Sequence, residues 1–177
     1  MPGARRIPGI RPVYDRSSAG GPGRRRSVSP TDPFEVLTAE HALVRDQLGR
    51  ALHACETPSS RSCGRSVHAL ADGLRLHVHR EESALFPVCE ELFGGKDSAV
   101  AVLRADHAEL EQAAASLAAH ADETKPEETR RRLQELLRRL VDHFAREEHV
   151  LFPLAAMRMS RAQAAFVTRR LRRGPTP

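Results

Sequence analysis

Tryptophan is absent from the 177 residues, tyrosine occurs once and cysteine three times. Runs of β-branched residues long enough to build strands are scarce, whereas Ala, Leu, Arg and Glu are abundant, so the composition favours an all-α fold. Cys55, Cys63 and Cys89 form neither a CxxC pair nor an even set. They argue against a disulfide framework and for a reducing, cytoplasmic compartment. No apolar run approaches the roughly 18 residues of a membrane-spanning helix, and the N-terminal stretch lacks the apolar segment of a signal peptide. A Gly-rich phosphate loop, an HExxH element and a Cys-rich zinc arrangement are missing too. No His follows a Glu by three residues, which excludes the ExxH element of ferritin-like carboxylate bundles. Tyr14 lies in the N-terminal stretch, which leaves no tyrosine for a site farther along the chain.

The net charge of +5 divides unevenly. Residues 1–30 carry seven Arg and one Asp, and residues 158–177 carry six Arg and no acid. The interval between them holds 15 basic and 22 acidic residues, about −7 in all. An acidic body between basic ends is therefore expected. The Gly, Pro, Ser and Arg of residues 1–31 cannot bury enough apolar surface to offset chain entropy, which predicts a disordered basic tail. A single domain over residues 32–158 follows, with a short helix and a basic tail over 159–177.

Within that domain the start and stop signals predict four long helices. Asp32, Pro33 and Glu35 open the first, which runs to about Ala54. The loop CETPSSRSCG separates it from a second, from about Ser66 to Gly94 and Gly95. Asp97 opens the third, to about Ala121, and the capping box TKPE at Thr124–Glu127 opens the fourth, to about Met157. Ser160 and Gln163 box a short fifth helix. Short connections between long amphipathic helices imply an antiparallel up-down four-helix bundle.

HVHREESALFP begins at His77 and HFAREEHVLFP at His143, 66 residues later. His41 and His107 are separated by the same 66, so the first two helices are duplicated as the third and fourth. A helix turns about 100° per residue, so positions at −7, −4, +3, +4 and +7 share a face. Phe34, Leu37, Val44 and Leu48 share that of His41, and Val100, Leu103, Leu110 and Ala114 that of His107. Leu70, Leu74, Glu81 and Ala84 flank His77, and Leu136, Leu140, Glu147 and Val150 flank His143. All four histidines therefore point inward, whereas His53, His68, His79, His120 and His149 fall on outer faces. One His on an apolar face is more often a core residue with a single hydrogen bond than a ligand. Four of them beside Glu81 and Glu147, acids costly to bury without a cation, point to a metal. Glu82 and Glu148 lie about 140° from the histidines and are either solvated or partners of the second imidazole nitrogen. Pro87 and Pro153 should kink their helices beyond the site. Phe86 and Phe152 serve as core aromatics and as seals against water.

These residues resemble the hemerythrin-like family, and within it the bacterial HHE cation-binding branch, over about residues 32–158. The resemblance implies a four-helix bundle holding two non-haem iron ions with an oxo or hydroxo bridge. It makes His41, His77, His107 and His143 terminal ligands and Glu81 and Glu147 bridging carboxylates. The oxygen carriers of the family have a second His, four residues on, in the third helix, where this chain has Glu111. Either Glu111 takes that place or the position stays open. Their acid on the last helix comes five residues after the His, which makes Glu148 a rival to Glu147. Two six-coordinate ions offer about 12 positions, of which these ligands and an oxide bridge fill about 10, leaving about two for a small molecule.

The expected function is binding, sensing or detoxification of O₂, NO or peroxide. The alternative is a di-iron enzyme of peroxide decomposition or of iron–sulfur centre repair, though the repair type resembles proteins with a Cys-bearing N-terminal domain that residues 1–31 lack. The basic ends carry no interleaved aromatics and no recognition-helix pattern, which argues against a nucleic-acid partner. The sequence leaves the oligomeric state open.

Overall fold

The computed structural model describes residues 32–56, 60–94, 99–121 and 123–173. The basic tail expected over 1–31, Gly95 and the Asp97 cap lie outside them. Four rods and a short terminal helix account for the described chain, all α as expected. The first rod is α1, Pro33–Ala54. The second runs from α2, Ser60–Arg80, through a π-helical turn at Glu81–Leu85 into α3, Phe86–Phe93. The third is α4, Ala99–Ala119. The fourth repeats the second, as α5, Pro126–Arg146, a π-helical turn at Glu147–Leu151 and α6, Phe152–Arg158. Helix α7, Arg161–Arg173, closes the chain. Each rod packs against two others in a square, α1 on α2 and α5, and α4 on α2 and α5. No helix among the described residues is long and apolar enough to cross a membrane.

Local chemistry explains most boundaries. Asp32 is extended at the start of α1, and its carboxylate accepts the Phe34 N–H at 2.9 Å, with Pro33 in the first turn. Gly94 ends α3 at a φ of 66°, a conformation only glycine adopts without strain, and its N–H donates to the Glu90 carbonyl. Ser160 and Gln163 form the expected box, each backbone N–H bound by the other's side chain. The TKPE box does not form. Helix α5 starts at Pro126 after Lys125, with no side-chain cap, and Glu127 and Glu128 face the positive helix end instead.

The second helix begins six residues before its expected start at Ser66. Cys63 and Val67 are buried there, and Cys63 is joined to Cys55 in a disulfide with the Cα atoms 4.7 Å apart. Packing and the cross-link outweigh the weak helix propensity of Ser and Gly. The pairing also corrects the reading of the cysteines and removes the support they lent to a reducing compartment. Cys89 alone is free, and buried.

Prolines 87 and 153 act differently from the expected kink beyond the site. Each lacks the N–H that an α-helix would use, and the rod answers with a wider turn just before it: Phe86 N–H donates to Glu81, and Phe152 N–H to Glu147, five residues back. The break therefore falls on the candidate ligands themselves. Within it the inward face shifts, and Val150, expected in the core, is 49% exposed.

Its duplicate Ala84 is buried because α7 packs on α1 and the first π turn, inserting Val167 and Leu171 beside Val36, Ala84 and Val88. The residues 66 positions on, Val102, Val150 and Leu154, have no such cover and are 54%, 49% and 41% exposed. Two apolar clusters fill the bundle. One, built on Leu48, Leu70, Leu74, Leu133, Leu136 and Leu140, lies toward the disulfide; the other, around Leu37, Leu85, Phe86, Leu103, Leu151 and Phe152, lies toward the prolines. The four inward histidines sit between them.

Candidate metal centre

His41, His77, His107 and His143 are all buried, together with Glu81 and Glu147. The five other histidines are exposed, as the helical arithmetic requires. The buried six fall into two overlapping sets, His41, His77, Glu81 and Glu147, and Glu81, His107, His143 and Glu147. Both carboxylates belong to both sets. His41 Nε2 lies 3.2 Å from Glu147 and 3.8 Å from Glu81; His77 Nε2 lies 3.3 Å from Glu81. On the other side His107 Nε2 lies 3.3 Å from Glu81, and His143 Nε2 lies 3.4 Å from Glu147 and 3.1 Å from His107 Nε2.

The chemistry of these atoms tests whether an ion belongs here. Nε2 of His41 and His77 and both carboxylate oxygens of Glu81 and Glu147 are buried without a hydrogen-bond partner. Buried polar groups are nearly always satisfied, and uncompensated ionised carboxylates cost several kcal/mol each (about the scale of a whole domain's stability). The candidate ligand atoms of each set lie within 4.8 Å of one another. An ion bound at ~2.1 Å separates opposed ligand atoms by about 4.2 Å, so each set fits one cation. Without cations the two carboxylates divide. Burial and then the charge of Glu81 push the Glu147 carboxyl well above the ordinary range. Burial also pushes Glu81 up, but the charge of His77 and the nearby imidazoles of His107 and His41 carry it well below. Burial and then the charge of His107 lower the His143 imidazole to about 3, which keeps the ring neutral and leaves one of its nitrogens with a free electron pair.

The residues fit a pair of cations bridged by two carboxylates. The sequence pattern that defines the hemerythrin HHE cation binding domain matches residues 32–155. The chain belongs to the hemerythrin HHE cation-binding family. A comparison with curated proteins finds no match.

Around this hemerythrin centre every imidazole meets an acid through its outer nitrogen. His41 Nδ1 donates to Glu148 at 2.7 Å, and His107 Nδ1 to Glu82 at 3.1 Å. His77 Nδ1 lies 3.4 Å from Glu40, and His143 Nδ1 3.5 Å from Asp106. An acid on Nδ1 fixes the tautomer that presents Nε2 to a metal. Glu82 and Glu148 thus take the orienting reading, each across to a neighbouring helix. Partial burial raises the Glu148 carboxyl, but the His41 bond and Arg45 bring it below the ordinary range. Glu148 points to the outer nitrogen of His41 and stands outside both four-residue sets. Glu111 is outside them too; it faces the groove between α2 and α4 with His68, Asp72 and Arg75.

Glu40 and Asp106 escaped the sequence reading, although each directly precedes an inward His and they stand 66 apart. Four arginines behind the acids escaped as well: Arg45 on Glu148, Arg80 on Glu40, Arg104 on Glu82 and Arg146 on Asp106. So did Phe144, which stacks on His41 with ring centroids 4.0 Å apart. Phe86 stacks on His107 at 5.1 Å and Phe152 on His41 at 5.7 Å, so aromatic rings wall the centre as expected.

Proposed function

We propose that the chain holds two non-haem iron ions, and that it binds or senses a small oxidant or diatomic molecule, O₂, NO or peroxide. The observation that carries this is the sharing of Glu81 and Glu147 between two buried ligand sets with only two imidazoles each. Nitrogen and carboxylate donors in this proportion suit iron, and an ion so bound keeps coordination positions unfilled by protein. Bridged irons supply electron exchange and open positions for a small ligand when bound. The chain does the rest. His41, His77, His107 and His143 offer their Nε2 atoms, with an acid beside each outer nitrogen. Glu81 and Glu147 hold the pair together and balance its charge. Phe86, Phe144 and Phe152 exclude water, so a small apolar molecule competes on better terms for the open positions.

Metal analysis and optical titration test the reading. Chain purified from iron-replete cells is expected to carry two irons, with an oxo-bridged ferric band. After anaerobic reduction, separate additions of O₂, NO and peroxide should each give a distinct spectrum. Iron-free protein, or spectra indifferent to all three, defeats the proposal. Catalytic loss of hydrogen peroxide that disappears in His77→Ala would assign the centre to an enzyme of peroxide decomposition instead.

A further inference from the structure

The internal duplication supplies most of the centre twice from matching positions. His41 pairs with His107, His77 with His143, Glu81 with Glu147, Glu40 with Asp106, and Arg80 with Arg146, each 66 residues apart. Two arginines break that rule. Arg45 corresponds to Glu111, and Arg104 corresponds to Thr38. Yet they make the same arrangement. Arg45 donates to Glu148 at 3.0 Å, and Glu148 accepts the Nδ1–H of His41. The same guanidinium lies 5.0 Å over the ring of Phe144, which stacks on His41 with the planes 14° apart. In the other half Arg104 lies 3.5 Å from Glu82, which accepts the Nδ1–H of His107, while its Nε donates to Glu90. Arg104 also lies 5.4 Å over Phe86, which stacks on His107 with the planes 5° apart. Phe144 corresponds to Val78 and so has no duplicate ring, whereas Phe86 corresponds to Phe152, which stacks on His41 at 5.7 Å.

Each half thus contains a closed loop of Arg, Glu, His and Phe whose arginine copying does not provide. The loop fixes an imidazole in two ways. The acid at Nδ1 sets its rotation in the ring plane, and the stacked Phe, held down by the guanidinium, sets its tilt. His77 and His143 lack the second restraint. Phe144 meets His77 edge-on at 5.5 Å and His143 at a 50° tilt, and their Nδ1 contacts are the longer ones, 3.4 and 3.5 Å.

We propose that Arg45 and Arg104 are positioning residues that make His41 and His107 the fixed anchors of the centre, one for each ion, and leave His77 and His143 as the ligands that yield when coordination changes. The inference rests on the metal-centre reading above and deepens it. Being partly exposed ion pairs, Arg45 and Arg104 contribute little to fold stability, so their effect is separable from folding.

The test uses full-length chain loaded anaerobically with ferrous iron. Arg45→Gln, Arg104→Gln, Arg80→Gln and Arg146→Gln are compared for iron loss to a chelator and for the paramagnetically shifted imidazole N–H signals. Arg45→Gln and Arg104→Gln should each speed iron loss about 10-fold and broaden one N–H signal, with unfolding midpoints near wild type. Arg80→Gln and Arg146→Gln should change iron loss much less. Arg45→Lys, which keeps the charge but loses the flat fork, should resemble Arg45→Gln. Equal effects of all four Gln variants, or changes confined to thermal stability, overturn the assignment of anchors alone. A wild-type chain that takes up no iron overturns the metal-centre reading along with it.

Discussion

Replacing Glu147 by Leu should stabilise the metal-free chain while abolishing its ability to hold ions. Glu147 is fully buried, and neither of its oxygens has a hydrogen-bond partner. An unsatisfied buried polar group costs about 1–3 kcal/mol, and exchanging buried charged groups for apolar ones of similar volume gains about 1–4 kcal/mol. About 2 kcal/mol is thus expected, which in a domain of this size raises the unfolding midpoint by about 4–8 °C. Added iron should reverse the order. An ion at a hundredfold excess over its dissociation constant stabilises the wild type by about 2.7 kcal/mol. The variant loses a carboxylate common to both ligand sets, so the gain should vanish. Thermal unfolding followed by circular dichroism, with chelator and with ferrous iron, reads both halves of the prediction. A variant less stable than wild type under chelator, yet still stabilised by iron, would mean that Glu147 is satisfied within the protein and no ligand.

Three further outcomes follow from the geometry. His143 has an imidazole lowered from 6.5 to about 3, so below about 6.5 the unfolded chain takes up a proton that the fold refuses. Its contribution is complete above that value and falls away toward pH 3; urea midpoints of metal-free chain should drop on acidification, with a shallower slope in His143→Leu. Phe144→Ala removes a fully buried ring from against three imidazoles and should cost about 3–5 kcal/mol in urea unfolding, whether or not metal is present. Reducing the Cys55–Cys63 bond, which closes a separation of eight residues, should cost about 2–3 kcal/mol; an unchanged midpoint after verified reduction would refute this.

What was legible beforehand was whatever repeats along a helix. The inward turn of His41, His77, His107 and His143, and the company of Glu81 and Glu147, follow from a fixed rotation per residue. Partners across the bundle have no such rule. Glu148 reaches His41 from the fourth rod and Glu82 reaches His107 from the second, so only packing reveals which acid serves which ring. Val150 departs from the inward face because the arithmetic takes an unbroken α-helix, whereas Val150 sits within the wider turn before Pro153. The early start of α2 was hidden because Ser and Gly signal a loop locally, while Cys63 and Val67 are held by contacts distant in sequence.

The single fifth helix gives the two halves unequal mutational fates. A charge introduced at Ala84 or Val88 would be trapped beneath α7, whereas the same change at Val150 or Leu154 would meet water. Substitutions should therefore accumulate freely on one flank and be purged from its duplicate, so that sequence symmetry erodes fastest where no helix lies overhead.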